Sequence, residues 1–126
     1  MPEEMQEFVL SEVQDLPTSR EVLPLMGRNQ TLLMDVLKLL VREASKLSSG
    51  YSKAVSEGDC KAARRAIHTL KSNVSQFGLE NFSSVAGKIE IAAIEEKLDF
   101  LVEAQPIVDE LAARTRLWAT GIIEES

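Results

Sequence analysis

Apolar residues recur along this chain at helical spacing almost without interruption, and no stretch alternates apolar and polar residues over the length of a strand. The longest example is the stripe Leu33, Val36, Leu37, Leu40, Ala44, Leu47, Tyr51, Ala54 and Val55. Its register runs through Ser48, Ser49 and Gly50, which predicts one long helix that tolerates a glycine costing about 1 kcal/mol relative to alanine. A chain patterned this way has to bury helix stripes against each other, so the fold class is all-α.

The boundaries are legible from capping chemistry. Glu3 to Leu16 carries Met5, Phe8, Val9, Val13 and Leu16 on one stripe and is closed by Pro17. Thr18 and Glu21 form a T-x-x-E capping box for a short second helix limited by Pro24 and Gly27. Asn29 is the predicted N-cap of the long third helix, which Gly58 stops, and Asp59 caps a fourth from about Cys60 to Phe77 with Gly78 as its C′ residue. A fifth starts near Glu80 or Asn81 and buries Phe82, Val85, Ala86, Ile89 and Ala93. A sixth follows Asp99 as N-cap, uses Phe100, Leu101, Ala104, Val108, Leu111, Thr115, Trp118 and Ile122, and should kink at Pro106. Short connections favour antiparallel neighbours. The expected architecture is an antiparallel up-down four-helix bundle with additional short N-terminal helices: residues 1–17 as an extra helix, and 18–126 as the bundle of one compact domain.

Composition excludes several functions. The 126 residues carry a net charge of −6, unlike a nucleic-acid binder with a basic face or a basic membrane-surface helix. No apolar run is long enough to span a bilayer, and the acidic start, Met1 to Leu10, does not read as a secretory signal. Cys60 is the only cysteine, so no internal disulfide is available and a cytoplasmic location is expected. No phosphate-binding loop, dinucleotide glycine pattern or nucleophile elbow is present. The residue three before the only histidine is Arg65, so the E-x-x-H pair of di-iron bundles is missing, and no metal site is expected.

That histidine is the informative residue. Ala63, Ile67, Leu70, Val74 and Phe77 define the buried stripe of the fourth helix, and at ~100° per residue His68 falls ~150° from its centre. It is predicted to point into solvent, on a face shared with Lys61, Arg64, Arg65, Ser72 and Ser75, flanked by Lys71 and Gln76. Lys71 at i+3 reaches the same surface, while Ser72 at i+4 and Ser75 leave room beside the ring. A solvent-facing imidazole with a cation and a bare platform suits phosphoryl chemistry. Lys61, Arg64, Arg65 and Lys71 also make a basic edge on an acidic chain, which would attract an acidic partner. Leu70, Val74 and Phe77 read as core, and Trp118 as core or a cover for one end of the bundle.

The stretch His68-Thr69-Leu70-Lys71-Ser72-Asn73-Val74-Ser75-Gln76-Phe77-Gly78 resembles the signature of His-containing phosphotransfer domains, H-x-L-K-G followed by five residues and a glycine. Gly58-Asp59 before it and Ile89-Glu90 after it fit the same pattern, and the likeness extends over about residues 18 to 122. Ser72 stands where the family usually has glycine, and Leu79 where alanine is common. The resemblance implies a phosphocarrier, not an enzyme: His68 Nε2 accepts a phosphoryl group from a receiver-domain aspartate and passes it to another receiver. Lys71, Ser72, Arg64, Ser75, Gln76 and Arg65 would support the phosphoryl group or the docked partner, and Leu70 and Gly78 would be structural. The implied partners are response-regulator receiver domains, among them those of a hybrid histidine kinase, bound by a monomer. This chain would hold no cofactor, the Mg²⁺ being on the receiver. Two other functions fit the residues: a helical docking bundle whose histidine is never phosphorylated, and a phosphoacceptor domain belonging to a larger hybrid histidine kinase.

Overall fold

The computed structural model describes Pro17, Glu21 and residues 23–125. The expected helix over Glu3 to Leu16 and the Thr18 half of the capping box lie outside these residues. The described chain begins with a 3-10 turn at Leu23–Met26, followed by α1 (Gln30–Ser56), α2 (Cys60–Ser75), α3 (Glu80–Ile94), α4 (Leu98–Glu103) and α5 (Gln105–Glu125). There is no strand among the described residues.

The helix ends follow the local chemistry. Asn29 accepts a hydrogen bond from the Leu32 amide at 3.0 Å and Asp59 from that of Ala62 at 3.0 Å, so both predicted N-caps form. Gly78 adopts φ 75°, and the amides of Leu79 and Gly78 donate to the carbonyls of Val74 and Ser75, the paired bonds of a Schellman closure. The same closure recurs at Gly58 and, with a non-glycine residue in the left-handed region, at Glu96. These three tight reversals set the order up, down, up, down. α1 is one unbroken helix through Gly50, as predicted.

The last helix departs from expectation. It does not continue through a kink at Pro106 but breaks at Ala104 into α4 and α5, leaving Pro106 as the second residue of α5. A proline is tolerated in a first turn, where its missing N–H has no intrahelical partner to lose, and is costly two turns inside. Asp99 is not the N-cap either. The closure at Glu96 carries the chain to Lys97, which occupies the cap position without a side-chain bond, and Asp99 falls in the first turn. The break frees the Leu101 carbonyl, and the buried Tyr51 hydroxyl of α1 donates to it at 2.6 Å. Burial, with Asp109 and Cys60 nearby, pushes the Tyr51 phenol well above its ordinary range, so it stays a neutral donor.

The core is continuous from Leu33, Leu37 and Leu40 of α1 through Ile67, Leu70 and Val74 of α2 and Phe82, Val85 and Ile89 of α3 to Ile107, Val108 and Leu111 of α5. α1 packs broadly on α5 and on α2, and α2 on α3. Val36, Leu47 and Val55, at the margin of the α1 stripe, are half-buried. Trp118 closes one end: its ring meets Phe77 edge-on at 5.3 Å, and its indole N–H donates to the Pro17 carbonyl at 2.9 Å. Leu79, at the mouth of α3, is fully buried.

Removing the Tyr51 hydroxyl leaves a buried carbonyl without a donor, which costs about 1–3 kcal/mol. Tyr51→Phe is therefore expected to lower the urea midpoint markedly. Ser48→Ala, which removes an exposed hydrogen bond from the same helix to Asp109 of α5, should cost much less. Equal midpoints for the two variants would contradict the role assigned to the Leu101 carbonyl.

Candidate functional site

His68 lies near the middle of α2, opposite the buried stripe Ala63, Ile67, Leu70 and Val74, and its side chain is 59 % exposed. Its ring is nevertheless not free. Nδ1 lies 2.6 Å from Oε2 of Glu90, on the adjacent α3, and the other carboxylate oxygen of Glu90 accepts a hydrogen bond from Lys71 Nζ at 3.0 Å. Glu90 is only 9 % exposed. One buried carboxylate thus holds two residues of α2, one oxygen for each.

Burial pushes the Glu90 carboxyl up. The hydrogen bonds from Lys71 and His68, with the charges behind them, outweigh that effect and hold it below the ordinary carboxylate value. Glu90 is therefore ionised near neutral pH. An ionised carboxylate can only accept hydrogen bonds, so the Nδ1 facing it must carry the proton. In the neutral ring this leaves the lone pair on Nε2, the nitrogen turned away from α3. An imidazole held in this tautomer presents a nucleophile to solvent, and Glu90 can stabilise the imidazolium that forms when Nε2 is substituted.

The other candidates divide into three groups. Arg64, Arg65 and Lys61 are exposed and, with His68 and Thr69, line one shallow depression on α2. Ser72 is exposed one turn after His68 and keeps that surface low. Ser75 and Gln76 are engaged away from the imidazole: the Ser75 hydroxyl donates to the Lys71 carbonyl at 2.7 Å and meets Ser83 Oγ at 2.6 Å, while the Gln76 amide donates to the Asn73 carbonyl. Lys71 does reach the neighbourhood of His68, but as the partner of Glu90. Its stem passes over Gly87, where an added Cβ would lie 3.9 Å from Lys71 Cδ. Leu70 is buried, and Gly78 makes the closure described above. Among the described residues no group of three or more His, Cys, Asp or Glu could hold a metal ion.

Glu90 is the residue that site reasoning from the sequence passed over. A signal was present: position 90 is four residues after Ala86 and three before Ala93, so it sits in an apolar register. A carboxylate there needs partners.

The depressed carboxyl makes a pH prediction. A folded-state pKa below the unfolded one contributes stability that is complete above the ordinary carboxylate range and is lost as pH falls through the lowered value. Glu90→Gln should cost about 1–3 kcal/mol at pH 7, and its stability should fall less steeply than the parent's on acidification. Imidazole ¹⁵N shifts should report the Nδ1–H tautomer in the parent and a mixture in Glu90→Ala. A parent ring already mixed in tautomer would break the link between Glu90 and Nε2.

Comparison with known proteins bears on this geometry. No curated protein and no solved structure matches the chain. Among family models, the Hpt domain matches residues 35–118, which spans α1 from its sixth residue, the whole of α2, α3 and α4, and α5 as far as Trp118. The match includes His68, Lys71 and Glu90 and covers more than half of the chain, which therefore belongs to the Hpt domain family.

Proposed function

We propose that this protein is a phosphorelay carrier in which Nε2 of His68 takes a phosphoryl group from a receiver-domain aspartate and gives it to the aspartate of another receiver. The Hpt domain implies histidine phosphotransfer in two-component signalling. The observation that carries the residue assignment is the 2.6 Å contact between Nδ1 of an exposed ring and a buried carboxylate, which leaves Nε2 as the outward lone pair. In the first transfer the Nε2–P bond forms as the P–O bond to the receiver's carboxylate breaks, and that carboxylate takes the electron pair. The second transfer is the reverse reaction with a new aspartate. Throughout, Nδ1 keeps its proton against Glu90.

On this reading the chain is a carrier and not an enzyme. It supplies a positioned nucleophile and a docking surface, and a Mg²⁺ ion held by the receiver would supply charge neutralisation. In-line transfer depends chiefly on alignment and charge neutralisation, which a rigid helix and a partner's metal site divide between them. A cytoplasmic, monomeric carrier with residues 18–126 as its working domain belongs to the same proposal. No helix among the described residues is long and apolar enough to cross a membrane.

Two experiments test it. Incubation with a phosphorylated cognate receiver should give an acid-labile, alkali-stable label that a folded His68→Ala variant lacks; a label that persists in that variant would refute the assignment. Ser72→Gln tests access. Side chains on a helix lean toward its N-terminus, so glutamine at position 72 would reach back over His68, where reacting atoms must approach within roughly 3–3.5 Å. It should melt like the parent and transfer at least ten-fold more slowly. Parental rates would move the docking surface off this turn of α2.

A further inference from the structure

We infer that Lys61, Arg64 and Arg65 bind the oxygens of the phosphoryl group on His68, and that Lys71 acts only as a positioning residue through Glu90. The inference rests on the reading of His68 as phosphoacceptor and concerns which cations the phosphorylated state uses.

Four observations lead to it. First, Lys71 is already engaged: its Nζ is 3.0 Å from Oε1 of a carboxylate that is 9 % exposed. Drawing it to a phosphoryl group would leave that buried charge without its cation, a costly exchange. Second, Lys61, Arg64 and Arg65 are exposed, have no ion-pair partner among the described residues, and line the same depression as His68. Third, helical side chains lean toward the helix N-terminus, so the imidazole overlies the turn that carries Arg64 and Arg65. With Nδ1 held by α3, Nε2 is the ring nitrogen left to the solvent. Arginine presents a planar fork of N–H groups that matches phosphoryl oxygens.

Fourth, these cations sit at the wrong end of the helix for folding. α2 begins at Cys60 after the N-cap Asp59, so Lys61 lies in its first turn and Arg64 and Arg65 just beyond, and the carboxylate of Asp59 is taken up by the Ala62 amide. Positive charge is disfavoured in the first turn of a helix, where Lys61 stands, and Lys61 repels Arg64 and Arg65, three and four residues on. Three exposed cations side by side, without an ion-pair partner among the described residues, add little to the stability of α2, although the chain has a net charge of −6.

The test uses the full chain and no receiver, so that partner docking cannot enter. With potassium phosphoramidate as donor, the Nε2 lone pair attacks phosphorus, the Nε2–P bond forms, and the P–N bond breaks to release ammonia. Nδ1 keeps its proton on Glu90. The second ionisation of the attached phosphoryl group is then followed by ³¹P NMR, at low salt and with divalent ions chelated. Nearby cations favour the dianion, so Arg64→Ala,Arg65→Ala should raise the midpoint by about half a pH unit or more. Arg64→Lys,Arg65→Lys should restore most of the shift, and about 0.5 M salt should erase the difference between variants. The alanine pair should melt no lower than the parent. Lys71→Ala should leave the phosphoryl midpoint near the parent's while raising the Glu90 carboxyl toward its ordinary value. A double-arginine variant that titrates with the parent, or a Lys71→Ala variant that carries the shift, would overturn the assignment of cations while leaving His68 as acceptor intact. A folded parent in which neither phosphoramidate nor receiver labels His68 would overturn both.

Discussion

A buried carboxylate with two donors on one neighbouring helix is the constraint around which the site is arranged. Taking Glu90 out of water is unfavourable, and the loss is recovered only if Lys71 and His68 both arrive with good geometry. This fixes the rotation of α3 against α2. A slip of one residue in α3 would turn the carboxylate about 100° away and place an apolar side chain against the lysine. The contact that sets the register also sets the tautomer of the ring, so packing and chemistry are one requirement here rather than two.

The rest of the bundle keeps that contact rigid. His68 is several residues from either end of α2, and its backbone is held by the helical ladder on both sides, unlike a loop residue. The ends of α2 are closed by Asp59 and by the turn at Gly78, which limits fraying toward the site. On α3, the Ser75–Ser83 contact and the room above Gly87 bring the two helices together just beyond Lys71. At the far side, Tyr51 ties α1 to the break between α4 and α5, so the change of direction before Pro106 has a defined hydrogen-bond solution.

How much of this could be read from residues alone follows from the range of each interaction. Caps are local, so Asn29, Asp59 and Gly78 announced themselves within three or four positions, as did the exposure of His68 from the stripe on its own helix. The break at Ala104 was not legible, because proline two turns inside a helix and proline in the first turn of a new one give the same apolar pattern. Choosing between them depends on the Leu101 carbonyl finding Tyr51, fifty residues away in sequence. Glu90 failed to register for a related reason. Its position on an apolar face was visible, but its partners lie 19 and 22 residues back, and only the pairing of α2 with α3 brings them together. Ser75 and Gln76 share a surface with His68 by helical arithmetic, yet both are satisfied by nearer groups.

The charges of α2 therefore fall into two kinds. Lys71 is bound to a buried partner and belongs to the fold as much as to the site. Lys61, Arg64 and Arg65 are solvated and gain nothing from one another, and Lys61, in the first turn, works slightly against the helix that carries it. Exposed charges contribute little to folding free energy in either direction, so a surface can hold them at small cost, whereas a partner that excludes water over them feels their full sign. With Lys71 and His68 held on Glu90, and Lys61, Arg64 and Arg65 left on the outward side of the same helix, the groups that fix the imidazole are distinct from those that a partner would meet first.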